Sequence, residues 1–264
     1  MSSLALIAIA VGNTRTHVAL FDNEEMTEIN HIPNDDRARI VELVTAGWKA
    51  SADAGKRAIA VSSVNETDSK ALCSVLEDQI GEEVYLIGDD LPVPIGVALD
   101  PEATPGMDRL LNAAAAWDAL KQACVVIDAG TAVTIDFVDG EGVFHGGVIA
   151  PGAQMQLDAM HSGTDGLPEL EFAVPEGEPY GRNTASAMQR GVYNGIRGLA
   201  WRMIEEYATA YEAFPLVVAT GGDSKDLFEG DELINRMVPE LELRGIAVSV
   251  RHALAESIDA DGDE

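Results

Sequence analysis

The stretch Val125-Val126-Ile127-Asp128-Ala129-Gly130-Thr131-Ala132, continued by Val133 to Val138, the Asp139-Gly140 turn and Val143 to Gly152, decides how this chain folds. An apolar run carries one carboxylate, Asp128, to a Gly-Thr turn, and two further apolar runs follow. The pattern predicts a strand, a tight turn and a meander. Glycine at such a turn lets the backbone approach a ligand. Backbone amides and a threonine hydroxyl donate to phosphate oxygens, and an adjacent acid holds a cation.

Working outward, the N-terminus repeats the arrangement. Leu4 to Ala10 reads as a strand, Gly12-Asn13-Thr14 as its turn, His17 to Phe21 as a second strand and Glu28 to Ile32 as a third. Aligning the glycines sets Ala10 opposite Asp128. Each meander is followed by helices and strands. In the first half these are a helix opened by Asp35-Asp36 with Ile40, Leu43, Val44 and Trp48 on one face, a strand at Ala58 to Val64, a helix capped by Asn65, and a strand at Glu83 to Ile87. In the second they are a helix at Gln154 to Met160, a proline-broken loop to Pro179, a long helix at Ala185 to Ala210, a strand at Leu216 to Ala219 and a helix from Lys225 onward. Asp90 to Pro105 reads as a loop, and an Ala-rich helix at Leu110 to Leu120 bridges the halves. The repeat implies an α/β fold of two duplicated domains, 1–104 and 105–264, facing each other across a cleft. The acidic tail from Ile258 to Glu264 is expected to fray.

The 264 residues are 47% hydrophobic, enough for a sizeable core, and carry a formal net charge of −28. Such a field repels nucleic acid and anionic membranes, which bind through basic clusters that this chain lacks, so neither is expected as a partner. Leu4 to Val11 is too short to cross a bilayer and has no basic residue before it, so a soluble, cytoplasmic protein is expected. Cys73 and Cys124 lie far apart in apolar patterns and read as buried thiols. His17, His31, His145, His161 and His252 are scattered without metal-ligand spacing. An anionic substrate needs local positive charge against this background, which gives weight to Arg15, Arg109 and Arg182 beside glycines.

Three further motifs carry chemistry. Gly106-Met107-Asp108-Arg109 opens the bridging helix, where Asp108 could accept a hydroxyl proton and Arg109 neutralise an anion; helix-dipole stabilisation and surface solvation explain the same residues. Gly181-Arg182-Asn183-Thr184 precedes the long helix and reads equally as a cap. The glycines of Thr220-Gly221-Gly222 would let a flat base lie close to the backbone, and the motif reads equally as a simple strand-to-helix turn. Asp136 and Asp139 read as turn and surface residues.

In order and spacing these motifs resemble the type III pantothenate kinases, of the acetate kinase, sugar kinase, Hsp70 and actin superfamily. The likeness rests on Gly12-Asn13-Thr14, Gly106-x-Asp108-Arg109 with Asn112, Asp128-x-Gly130-Thr131-Ala132-x-Thr134, Gly146-Gly147-x-Ile149-x-Pro151-Gly152, Gly181-x-x-Thr184 and Thr220-Gly221-Gly222. It implies two ribonuclease H-like, actin-like ATPase domains and the ATP-dependent phosphorylation of pantothenate, the first step toward coenzyme A. By the same resemblance Ala10, Val11, Gly12, Asn13, Thr14, Arg15, Thr16 and His17 bind ATP phosphates, with Thr131 a further contact. Gly106, Met107, Asp108 and Arg109 bind pantothenate with Thr184, Asp108 is the proton acceptor, and Asp128 binds a monovalent cation, K+ or NH4+. Magnesium accompanies ATP, and members are homodimers. The family's first motif is Asp-x-Gly-Asn-Thr, and its acid is expected to help hold magnesium, yet Ala10 stands there. Val97-Ala98-Leu99-Asp100-Pro101 likewise lacks a family tyrosine. A catalytically impaired paralogue acting as a nucleotide- or substrate-binding regulatory protein is the alternative these departures leave.

Overall fold

The computed structural model describes residues 3–63 and 66–262. The elements run β1 (Leu4–Val11), β2 (Arg15–Asp22), β3 (Glu25–Pro33), α1 (Arg37–Ala50), β4 (Lys56–Ser63), α2 (Glu66–Ile80), β5 (Tyr85–Leu86), β6 (Gly96–Val97) and α3 (Met107–Leu120). They continue with β7 (Cys124–Ala129), β8 (Ala132–Val138), β9 (Val143–Pro151), α4 (Ala153–Ser162), α5 (Thr184–Tyr211), β10 (Leu216–Thr220), α6 (Ser224–Phe228), β11 (Arg236–Met237) and α7 (Leu241–Gly262). They form two compact units interleaved in sequence. The first comprises residues up to Ile95, Ala103–Asp118 and those from Glu242 onward; the second comprises Gly96–Glu102 and Ala119–Leu241.

In the first unit the sheet order is β3-β2-β1-β4-β5. β1 is antiparallel to β2 and parallel to β4, and its position between them explains why it is apolar almost throughout. Successive side chains leave opposite faces. Leu4, Leu6, Ala8 and Ala10 therefore pack in one cluster with Leu111 of α3 and Leu243, Ile246 and Val250 of α7. Ile7, Ile9 and Val11 pack in another with Ile40 and Val44 of α1 and Leu72 and Leu76 of α2. Asp36 caps α1 through its side chain and the Arg39 amide (3.2 Å). The expected cap at Asn65 lies outside the described residues.

The second unit repeats the plan. Its order is β11-β10-β7-β8-β9-β6, so β9-β8-β7-β10-β11 has the connectivity and strand directions of β3-β2-β1-β4-β5. The expected duplicated α/β fold is thus present in both sheets. Val125, Ile127 and Ala129 of β7 pack against one side of α5, where Met188, Val192, Ile196, Ala200, Ile204 and Ala208 recur every fourth residue.

Several local expectations need correction. The single helix read from Lys225 onward is two, because Glu229 and Gly230, the latter at φ 76°, end α6 and Pro239 lies between β11 and α7. The expected loop from Asp90 to Pro105 contains β6, which pairs with β9. The tail expected to fray from Ile258 belongs to α7, which runs to Gly262. Asp136 is not a surface residue: it faces inward from β8 and is 2% exposed.

Candidate active site

In the first unit, β1 and β2 are joined by the three residues Gly12 to Thr14, and the Gly12 amide donates to the Arg15 carbonyl (3.0 Å). Asn34, just beyond β3, braces it. Its amide donates to the Thr14 carbonyl (3.2 Å), its Nδ2 to the Gly12 carbonyl (2.8 Å), and its Oδ1 accepts from the Thr16 hydroxyl (2.9 Å). Asn13, Thr14 and Arg15 stay exposed while Val11 and Thr16 are buried. Asn34 was missed by sequence reasoning; its only signal is an amide side chain directly after the Pro33 that ends β3. Ala10 is buried in the apolar cluster below this turn at 3% exposure.

Gly106 and Asp108 form the second element. α3 begins at Met107, earlier than the predicted Leu110, so Asp108 and Arg109 lie within its first turn. A Cβ on Gly106 would fall 2.4 Å from Asp108 Oδ1. The carboxylate therefore lies back against the chain at the positive end of the helix, and glycine is what leaves room for it. Met107 packs its side chain over Gly88 and the apolar cluster, leaving its backbone for any ligand. Asp108 and Arg109 are half-buried.

The second unit gathers glycines around the Asp128 turn. Asp128 is half-buried at the end of β7, opposite Thr134 of β8 and Thr220 of β10. A Cβ at Gly221, which holds φ 92°, would lie 2.4 Å from Asp128 Oδ1 and 2.3 Å from the Ala129 carbonyl oxygen. One at Gly152 would lie 2.0 Å from the Gly130 carbonyl oxygen, and the Gly152 amide donates to the Thr131 carbonyl (3.0 Å). The Asp223 amide donates to the Ala129 carbonyl (2.9 Å). Thr131 is exposed at the tip. The Asp128 carboxylate thus lies close to the Ala129 carbonyl oxygen in closely packed backbone, a setting of hard oxygen donors.

Burial, reinforced by Asp226, raises the Asp223 carboxyl above its ordinary value. Beside it a cavity of about 730 Å³ is lined by Gln154, Leu170, Phe172, Glu169, Glu171, Asp223 and Asp226. Thr184 is the exposed first residue of α5, behind a reciprocal Asn183–Ser186 capping box (2.8 and 3.3 Å). Arg182, weighed above as an anion ligand, pairs with Glu178 at 2.6 Å. Gly147 leaves room for Asp136: a Cβ there would lie 2.6 Å from Asp136 Oδ1.

Two sheets of one connectivity, each with a glycine turn at the end of its central strand, define a duplicated ribonuclease H-like protein. The sequence model of the type III pantothenate kinases matches residues 6–206. The chain belongs to that family. A relative named type III pantothenate kinase from Dehalococcoides mccartyi is 31% identical over 92% of this chain and 96% of its own. Another, from Rhodopirellula baltica, is 36% identical over 78% and 75%. A crystal structure from Campylobacter jejuni, described as a Baf family transcriptional activator, has a TM-score of 0.60 at 18% identity, covering 94% of this chain and 99% of that one. That likeness supports the fold alone.

Proposed function

We propose that this chain phosphorylates the hydroxyl of pantothenate with ATP, giving 4′-phosphopantothenate at the start of coenzyme A synthesis. The observation that carries this reading, beyond family membership, is the Asp108 carboxylate held at the first turn of α3 by Gly106. Asp108 accepts the hydroxyl proton as the oxygen attacks the terminal phosphorus and the bond from that phosphorus to the β,γ-bridging oxygen breaks, releasing ADP; Arg109 offsets the substrate carboxylate. Gly106, the Met107 backbone and Thr184 are assigned as further contacts of pantothenate.

ATP phosphates are assigned to the Asn34-braced turn, Ala10 to His17, and to Thr131. Phosphoryl transfer depends on in-line positioning and on offsetting phosphate charge, which an acidic chain supplies through cations. Asp128 and the neighbouring carbonyl oxygens fit a monovalent cation, K+ or NH4+. Magnesium fits less well: Ala10 offers no side-chain oxygen at the end of β1, and its methyl group is buried among apolar side chains. The end of β1 therefore supplies no side-chain ligand for magnesium. The cavity beside Gly221-Gly222, with Phe172 and Leu170 in its wall, supports a place for the nucleoside. Residues 1–104 and 105–264, joined by the helix at 110–120, are proposed as the duplicated segments. Among the described residues no helix is long and apolar enough to cross a membrane. A cytoplasmic homodimer is proposed on family membership.

The test is product formation from ATP and pantothenate by the whole protein and by Asp108→Asn. The variant is expected to fold normally and lose about 10²- to 10⁴-fold in turnover. Unchanged turnover removes Asp108 from the base role, and absence of 4′-phosphopantothenate with the unaltered chain and with Ala10→Asp sinks the kinase reading. Product from Ala10→Asp alone points to an impaired paralogue.

A further inference from the structure

The hydrogen-bonded registers of the first sheet place Ser62, Ala10, His17 and His31 side by side across β4, β1, β2 and β3. Directly opposed residues on adjacent strands share a face, and Ala10 packs on the face shared with α3 and α7. The corresponding row in the second sheet is Thr220, Asp128, Thr134 and Ile149. That row carries its one strong cation donor, a carboxylate, on the central strand. The first row has a methyl group there and two imidazoles on the next two strands instead.

The imidazoles stack with ring centroids 4.4 Å apart and 25° between planes. One nitrogen from each lies within 4.8 Å of its counterpart. His31 is exposed and His17 half-buried, so a cation can reach the pair from solvent. Neutral imidazole offers one nitrogen lone pair and prefers Zn2+, Ni2+, Co2+ or Cu2+ to Mg2+ or Ca2+, which take oxygen donors. The overall charge of −28 concentrates cations near the surface.

We propose that His17 and His31 together form a binding site for a divalent transition-metal ion, with water completing its shell. Turning the two rings out of their stack brings both lone pairs onto one ion, which then ties β3 to β2. β3 leads directly into Asn34, whose side chain holds the Gly12 carbonyl and the Thr16 hydroxyl. The ion therefore stiffens the β1–β2 turn. The effect on phosphate binding rests on the function proposed above; metal binding itself does not, and it is measured without substrate.

The experiment is titration of the full chain with Cu2+ and with Ni2+ in excess Mg2+, which occupies surface carboxylates. Electron paramagnetic resonance of the first Cu2+ equivalent is expected to show coupling to two imidazole nitrogens. Ni2+ is expected to broaden the ring-proton resonances of His17 and His31 before those of His145, His161 and His252. His31→Gln, at an exposed edge-strand position and checked by circular dichroism, is expected to weaken Ni2+ binding about tenfold or more and to remove the two-nitrogen signature. Oxygen-only coordination, first broadening at another histidine, or equal Ni2+ affinity in a folded His31→Gln protein each overturns the proposal.

Discussion

At the scale of single residues, glycines mark where backbone and carboxylates must come close. Gly221 holds a positive φ and leaves no room for a Cβ beside Asp128. Gly221→Ala is expected to cost about 1–3 kcal/mol from backbone strain and to blunt any response of activity to K+. Urea unfolding and a K+ titration check this, and an unchanged midpoint with an intact K+ response removes Gly221 from the site. Gly106 and Gly147 stand in the same relation to Asp108 and Asp136. The sequence displayed each glycine but not its partner. Asp128 and Gly221 meet only because β7 and β10 are neighbours, and an acid on β8 reads as surface until its inward face is known.

At the scale of elements, α5 is latched to the loop after α6. Asp231, whose side chain is 1% exposed, accepts from Arg197 Nη2 and from Trp201 Nε1, both at 2.9 Å. Asp231→Ala leaves these donors without their acceptor and is expected to destabilise the fold by about 2 kcal/mol. A thermal melt within a degree of the unaltered protein would show that the latch contributes little. The β8–β9 turn has a comparable tie. Burial pushes the Asp139 carboxyl up, but hydrogen bonds from the His145 ring and the Val143 and Glu141 amides outweigh it and hold the carboxyl below its ordinary value. A carboxyl lowered on folding stabilises above its unfolded value, about 3.9, and that contribution is lost as pH falls through the folded value. The melting-temperature gap between the unaltered protein and Asp139→Asn should therefore narrow between about pH 5 and pH 3. A gap independent of pH would contradict the tie. These elements were largely legible from apolar periodicity. The stretch from Lys225 is less legible, because short apolar runs there conceal two helices and a two-residue strand, just as the loop from Asp90 conceals β6.

At the scale of the whole molecule, a net charge of −28 repels itself in the compact state. Salt screens that repulsion, with a Debye length of about 10 Å at 0.1 M and 3 Å at 1 M. The melting temperature is expected to rise from low salt to about 1 M NaCl, and a fall would show that specific ion pairs outweigh the repulsion. By itself the sequence determined that the fold is duplicated, because strand and helix periods and glycine turns are local properties that recur along the chain. It also determined that Ala10 stands where the second copy has Asp128. Only the tertiary structure decided that Asn34 braces the first turn, that Gly221 lies against Asp128, and that His17 meets His31. Those contacts depend on strand register and close backbone approach between segments distant in the chain, which no local pattern encodes.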